Sequence, residues 1–144
     1  MPDKGFLQSD FPIAFAHRGG IQEFPENSLK AFKGAFDLGF RYMETDVHAT
    51  KDGQLVAFHD DRLDRVTNRK GKIAQFNFSD LSSALIGGSE PIPLLVDLLE
   101  ELPDAKFNID PKHDAAVEPL AEIVKRTNSI NRVCIGSFSD NRIK

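Results

Sequence analysis

The stretch Arg41-Tyr-Met-Glu-Thr-Asp-Val-His-Ala-Thr50 decides the fold, because polar and apolar side chains alternate along it. Successive side chains of a strand point to opposite faces, so Glu44 and Asp46 share one face while Met43 and Val47 share the other. Two adjacent carboxylates repel each other unless water, protons or a cation compensates, and a hard divalent cation suits that role. The alternative is a solvated outer face of an antiparallel sheet. The neighbouring segments decide between the two interpretations.

The segment before this strand ends in a group of polar residues. Pro12-Ile-Ala-Phe-Ala16 is a short apolar run that indicates a buried strand, and His17, Arg18 and two glycines follow it directly. A guanidinium fork matches phosphate oxygens, and an imidazole gives or takes a proton near neutral pH. His17 and Arg18 are therefore candidates for handling an anion, and the alternative is a surface loop with two polar residues.

A helix is predicted between these two strands. The run Pro25-Glu-Asn-Ser28 precedes apolar residues at helical spacing, and the pattern closes at Gly39. Asn27 or Ser28 is the expected N-cap, and Gly39 the expected C-terminal cap. Glu26 and Asn27 are also candidates for supporting roles in a site, although both residue types are common where a helix is capped.

A hairpin is predicted after the acidic strand. Lys51-Asp-Gly53 is too short for the crossover that parallel strands require, so the next apolar segment should pair antiparallel with the first. With a two-residue turn, Asp46 faces His59, and with a three-residue loop Thr45 faces it instead. Both registers bring His59 beside the carboxylates.

A second strand with a charged face is predicted at Lys106-Phe-Asn-Ile-Asp-Pro-Lys112. Alternation places Asp110 and Lys112 on one face, and Pro111 marks the end of the strand because proline supplies no donor to a central ladder. The alternative is an edge strand with polar outer residues. The polar stretch 60–71 has no period and predicts a long loop, a kind of segment that is disproportionately functional.

Composition excludes several classes of function. The net charge of −4 over 144 residues argues against a general nucleic-acid binder, and no apolar run of 18 residues is present to span a membrane. Cys134 is the only cysteine, which rules out a cysteine-based zinc site. The N-terminal stretch Met-Pro-Asp-Lys-Gly-Phe lacks the pattern of a secretory signal, which favours the cytoplasm.

Strand and helix patterns alternate along the chain, which predicts an α/β fold with a parallel sheet and outer helices. Polar residues cluster at the C-terminal ends of successive strands, and in a (β/α) TIM-type barrel that rim is the site of catalysis. Such barrels need about 250 residues. We therefore expect residues 1–144 to supply roughly the N-terminal half of a barrel, with a β-hairpin after the second strand, as a C-terminally incomplete domain. Its open sheet edges would favour self-association. The further predicted elements are short helices at 79–85, 94–102 and 114–127 and a strand at 132–136.

A series of short motifs resembles the glycerophosphodiester phosphodiesterase family. In chain order they are His17-Arg18-Gly19, Pro25-Glu26-Asn27-Ser28, Glu44-Thr45-Asp46-Val47, Lys51-Asp52-Gly53, His59-Asp60, Leu63-Asp64-Arg65, Ile92-Pro93-Leu94 and Ser137-Phe138. The resemblance covers nearly the whole chain. It implies a phosphatidylinositol-phospholipase-C-like barrel, a small-molecule substrate, a divalent cation (usually Mg²⁺ or Ca²⁺), and hydrolysis of glycerophosphodiesters to sn-glycerol 3-phosphate and an alcohol.

The same resemblance implies roles for individual residues. Glu44, Asp46 and Asp110 would hold the metal, and His17 and His59 would act as acid and base. The family usually carries Glu-x-Lys where this chain has aspartate, which is one methylene shorter, so ligation by Asp110 would pass through a water.

The residue chemistry points the same way without the family. A phosphodiester anion repels a nucleophile unless its charge is offset, which Arg18 or Lys112 would do beside a metal. Two imidazoles then divide the proton transfers. Three rivals remain: a lysophospholipase D with the same residues and a longer substrate, a module that binds phosphodiesters or metal without turnover, and a non-enzymatic fragment.

Overall fold

The computed structural model describes residues 5–20 and 22–144. Residues 1–4, which belong to the stretch that favours the cytoplasm, lie outside the described part, and that localisation stays a prediction. Within the described residues, seven strands and three α-helices follow one another in the order β1 Phe15–His17, α1 Leu29–Asp37, β2 Tyr42–Ala49, β3 Leu55–Ala57, β4 Leu85–Ile86, β5 Glu90–Pro91, α2 Leu95–Glu101, β6 Lys106–Pro111, α3 Val117–Arg126 and β7 Val133–Ile135.

The main sheet has the strand order β1-β2-β6-β7, and all of these neighbours pair in parallel. This confirms the predicted α/β fold with a parallel sheet. Because β6 lies between β2 and β7, the interpretation of Lys106–Pro111 as an edge strand is wrong. The described strands form an open sheet rather than a closed barrel.

The predicted hairpin forms with a three-residue loop. β3 pairs antiparallel with β2, and His48 lies opposite Val56. The Thr50 N–H donates to the Gln54 carbonyl at 2.9 Å, which leaves residues 51–53 as the loop. Continuing that register places Thr45, rather than Asp46, opposite His59.

The apolar face of the sheet is covered by the three helices. Ser28 is the N-cap of α1, since its Oγ accepts from the Ala31 N–H at 3.1 Å, and this selects serine over Asn27 as the cap. Phe32 of α1 and Phe107 of β6 are fully buried against each other, with ring centroids 5.8 Å apart. Burial of such side chains contributes about 2 kcal/mol each. This packing joins the helices to the face of the sheet opposite its polar face.

The segment between the hairpin and α2 builds a small second core. The long loop at 60–71 is confirmed, and it covers buried side chains such as Leu63, Ile73 and Ile86. The helix predicted at 79–85 is wrong in part. A 3₁₀ turn spans Phe78–Leu81, and Leu85–Ile86 pairs with Glu90–Pro91 as a short ribbon, because the two glycines after Ile86 reverse the chain there.

The outer strands β1 and β7 each have one unpaired edge among the described elements. Exposed large apolar side chains gather beside these two edges. Leu38 and Phe40 line a groove next to β1, and Ile130, Ile135 and Ile143 line a groove next to β7. In the part of the chain that the structure describes, no helix is long and apolar enough to cross a bilayer.

Candidate active site

The polar face of the sheet carries the residues that the sequence singled out. Parallel register places His17 of β1 beside Glu44 of β2, and Asp46 of β2 beside Asp110 of β6. Lys112 follows directly after β6, and its backbone N–H donates to the Val47 carbonyl at 3.1 Å. Residues that are far apart in sequence therefore meet at the carboxyl ends of three adjacent strands.

Two residues of the site have left-handed backbone conformations. Arg18 has φ 52° and Asn27 has φ 57°, a region that costs non-glycine residues about 1–3 kcal/mol. The Asn27 N–H donates to the Arg18 carbonyl at 2.8 Å, so each holds the other. Gly19 follows at φ 79°, where a Cβ would lie 2.9 Å from the Ala31 Cβ. The loop after β1 therefore presses against α1, and only glycine fits there.

Asp46 is the most deeply buried carboxylate of the site, and cations surround it. Its side chain is 2% exposed, with the Lys112 Nζ at 3.0 Å and the Arg18 Nε at 3.5 Å. Asn27 donates its side-chain N–H to Asp46 at 3.3 Å, and the Asn27 amide oxygen accepts from the Thr45 hydroxyl at 2.8 Å. A buried charge needs such partners, since an unpaired carboxylate would cost several kcal/mol.

Lys112 bridges the two strands. It donates to Asp110 at 2.8 Å and lies 3.0 Å from Asp46. Burial alone would lower its pKa, but hydrogen bonds to Asp110 and Asp46 outweigh burial, so the pKa of Lys112 is raised. The ammonium therefore stays charged and keeps the two carboxylates side by side.

The charge of Glu44 is less well compensated by neighbouring cations than the charge of Asp46. Burial, followed by the charge of Asp46, raises its pKa to about 7, although the Arg18 N–H donates to its carboxylate at 3.2 Å. The His17 Nε2 lies 3.6 Å from the same carboxylate, and the His17 side chain is 62% exposed. The surroundings of Glu44 therefore disfavour its ionised form.

The acidic side chains of the described residues supply the oxygen atoms that a hard cation prefers, but they do not converge on one point in this structure. Glu44 and Asp46 are oxygen donors on one face, and an additional positive charge would offset the burial and the Asp46 charge that together raise the pKa of Glu44. Among the described residues, the buried Arg18 Nε has no hydrogen-bond partner, and this N–H is a donor that needs an acceptor such as a phosphate oxygen rather than a cation. Within residues 5–20 and 22–144, however, no three acidic, histidine or cysteine side chains converge as a metal site. The carboxylate of Asp110 points to Lys112, and its ligand role stays a prediction.

His59 is held by its neighbour in the chain. The His59 Nδ1 lies 2.7 Å from the Asp60 carboxylate. Hydrogen bonds from Arg65 outweigh burial and, together with the bond from His59, lower the pKa of Asp60 to about 2, so Asp60 is ionised at neutral pH and can only accept. Nδ1 must then carry the hydrogen, which leaves the Nε2 of neutral His59 free to accept a proton.

Glu26 and Asn27 do not cap α1, since each contacts other side chains of the candidate site instead. Glu26 accepts from the Arg18 Nη1 at 2.8 Å and from the Arg65 Nη2 at 2.5 Å. Sequence reasoning assigned no role to Arg65, Asp60 or Thr45, although all three lie within the quoted motifs. Arg65 could have been found from the sequence, because it is a charged residue in a long polar loop shortly after His59.

Comparison with known proteins places this geometry in a family. The sequence model of the glycerophosphoryl diester phosphodiesterase family matches residues 17–143. The chain belongs to this family. The match includes all of the candidate site residues, and the resemblance that the sequence motifs indicated is confirmed.

Individual relatives agree with the family match. The chain is 45% identical over 142 residues to a protein named probable glycerophosphodiester phosphodiesterase 2 from Mycobacterium tuberculosis, covering 98% of this chain and 54% of the relative. It is 34% identical over 128 residues to human lysophospholipase D GDPD1, covering 78% of this chain and 41% of the relative.

A solved structure has the same architecture. An Oleispira antarctica phosphodiesterase in complex with the product sn-glycerol 3-phosphate superposes with a TM-score of 0.85 at 26% identity, over 92% of this chain and 60% of that chain. This member of the glycerophosphoryl diester phosphodiesterase family thus spans about two fifths to three fifths of the length of these relatives.

Proposed function

We propose that this chain takes part in hydrolysing glycerophosphodiesters to sn-glycerol 3-phosphate and an alcohol. The observation that best supports the proposal is the parallel register that brings His17, Glu44, Asp46 and Asp110 to one rim. Metal-independent parts of the chemistry can be assigned to the chain's own side chains. The Oleispira relative was solved with the corresponding product, which agrees with this substrate class.

Charge neutralisation is the first requirement of the reaction. Arg18 and Lys112 lie at the same rim and carry the positive charges that a phosphodiester needs. Arg18 is oriented by Glu26, so its guanidinium is fixed before a substrate binds. A divalent cation, Mg²⁺ or Ca²⁺, held by Glu44, Asp46 and Asp110, would add Lewis-acid polarisation of the phosphoryl oxygens.

Proton transfer is the second requirement. In this proposal His59 accepts the proton of the glycerol hydroxyl next to the phosphate through Nε2, because Asp60 holds the Nδ1 hydrogen. That oxygen bonds to phosphorus, the bond to the leaving alcohol breaks, and His17 donates the proton that the alcohol needs. Water then opens the cyclic phosphate with the two roles reversed, which yields sn-glycerol 3-phosphate.

A coupled assay for glycerol 3-phosphate tests the proposal. Glycerophosphocholine and other glycerophosphodiesters would be turned over with a divalent metal and not with chelator, and a substrate without the neighbouring hydroxyl would react far more slowly. His17→Ala and His59→Ala should each lower kcat by about 10²- to 10⁴-fold. Near-full rates in both variants would refute the two-histidine scheme.

A lysophospholipase D reaction is the second candidate, because the human relative carries that name. It would use the same rim on a substrate with one acyl chain. Release of choline from lysophosphatidylcholine, compared with its release from glycerophosphocholine, separates the two activities.

We also propose that the chain self-associates. Among the strands that the structure describes, β1 and β7 each have an unpaired edge, and these edges and the exposed apolar side chains near them favour contact with another sheet edge. Sedimentation velocity of residues 1–144 should show oligomers, and a monodisperse monomer of native stability would contradict this.

A further inference from the structure

Arg65 connects two loops of the rim, one that carries the candidate phosphate ligand Arg18 and one that carries the candidate base His59. Its Nε donates to Asp60 at 2.8 Å, and its Nη2 donates both to Asp60 at 3.0 Å and to Glu26 at 2.5 Å. Asp60 and Glu26 are separated by more than thirty positions in the sequence. One guanidinium therefore ties the loop after β1 to the loop after β3.

On one side of Arg65 lies the predicted base. Asp60 receives Arg65 on both oxygens and holds the Nδ1 of His59 at 2.7 Å. The backbone of His59 is fixed separately, because its carbonyl contacts the His48 Nε2 at 3.0 Å and the preceding Phe58 N–H donates to the Asp46 carbonyl at 2.9 Å. What Arg65 adds is therefore the orientation of the carboxylate that selects the tautomer of the His59 ring.

On the other side lies the predicted phosphate ligand. Glu26 is 8% exposed, and its two oxygens are divided between Arg65 and Arg18. Without Arg65, one oxygen of a nearly buried carboxylate would lose its partner, and the carboxylate could turn towards Arg18 or water. The position of the Arg18 guanidinium thus depends on a residue that does not touch it.

We propose that Arg65 is a positioning residue, which fixes the His59 ring through Asp60 and the Arg18 guanidinium through Glu26. This rests on the proposed function of the rim. A lysine could not replace it fully, because one ammonium lacks the planar fork that reaches both carboxylates at once. Arg65 is about half exposed, so its value lies in geometry more than in a buried ion pair.

Four variants test the two contacts of Arg65, namely the contact to Asp60 that orients His59 (the His59 arm) and the contact to Glu26 that orients Arg18 (the Arg18 arm). Asp60→Asn weakens the His59 arm, because a neutral amide replaces the carboxylate, and it should lower kcat. Glu26→Gln weakens the Arg18 arm and should chiefly raise KM. Arg65→Met should do both, with a fall in kcat of about 10- to 100-fold, as is typical when the outer partner of a functional histidine is lost. Arg65→Lys should recover part of this loss.

The matched control is Arg62→Met. Arg62 lies in the same loop and is similarly exposed, but it pairs with Asp64 at 3.3 Å and contacts neither arm. Its kcat and KM should stay within about twofold of wild type. In an Asp60→Asn background, Arg65→Met should lower kcat by less than about threefold more, since the two act through one contact. Full additivity of the two losses would overturn the proposal.

Imidazole ¹⁵N NMR provides a readout that does not need turnover. Wild-type His59 should show a protonated Nδ1 and an unprotonated Nε2, Arg62→Met should keep that pattern, and Arg65→Met should shift it towards a mixture of tautomers. Unchanged His59 shifts in a folded Arg65→Met protein would refute the His59 arm even if the assays showed no turnover. Absence of turnover in wild type with the expected NMR shift would instead refute only the proposed function.

Discussion

The two faces of the main sheet bury different kinds of side chain. On the helix-covered face, Met43, Val47 and Phe107 bury apolar surface and stabilise the fold. On the polar face, Glu44 and Asp46 bury charge, which costs free energy that Lys112 and Arg18 only partly offset. One face stabilises the sheet so that the other can hold a reactive arrangement.

The largest expected effect comes from the helix-covered face. Phe107→Ala should lower the free energy of unfolding by about 3–5 kcal/mol, because a fully buried ring packed on Phe32 is replaced by a cavity. Urea denaturation measures it. Phe138→Ala is the matched control, since that ring is fully exposed and should change stability by less than about 0.5 kcal/mol. Similar losses in both variants would contradict the assignment of stability to the core face.

On the polar face, a substitution should raise the free energy of unfolding instead of lowering it. The folded pKa of Glu44 is about 7, above its ordinary 4.5, so folding favours the protonated form. Its ionisation therefore removes stability as pH rises from about 4.5 through about 7. Glu44→Gln should raise the free energy of unfolding at pH 8 in chelator by on the order of 2 kcal/mol, while activity with metal falls. Equal stabilisation at pH 4 would show that charge is not the cause.

Asp60 should behave in the reverse manner, since its pKa falls to about 2 from an ordinary 3.8. The stability from its contacts with Arg65 and His59 is present above pH 3.8 and is lost as pH falls through about 2. Asp60→Asn should cost about 1 kcal/mol at pH 7 and less at pH 3, by urea denaturation at both values. Asp61→Asn is the control, because its side chain is exposed and next in sequence, and it should change the free energy of unfolding at pH 7 by less than about 0.5 kcal/mol.

The smallest effect is expected outside both faces. Lys33 pairs with Glu101 at 2.7 Å, but both side chains are about half exposed. Lys33→Met should change the free energy of unfolding by less than about 1 kcal/mol, because solvent screens exposed pairs. A larger loss in the thermal or urea midpoint would mean that the helix surfaces also carry part of the stability.

Local patterns in the sequence predicted much of this molecule. Alternation along 41–50 and 106–112 assigned the correct faces to Glu44, Asp46 and Asp110, because the strand period is a property of the backbone. The predicted hairpin allowed two registers, which place either Asp46 or Thr45 opposite His59. The structure has the three-residue loop, which places Thr45 there. The 79–85 segment was predicted poorly, since a short apolar run fits a helical turn and a strand equally well.

The sequence by itself determined the alternation, the hairpin and the set of polar side chains at the strand ends, because each depends on a few consecutive residues. Only the tertiary structure decided that Asp110 lies beside Asp46, that Lys112 is shared by both, and that Arg65 reaches Glu26 across 39 positions. Register between strands that are distant in sequence follows from how the helices pack beneath the sheet. A guanidinium in a loop without period finds its partners only once that packing has brought them close.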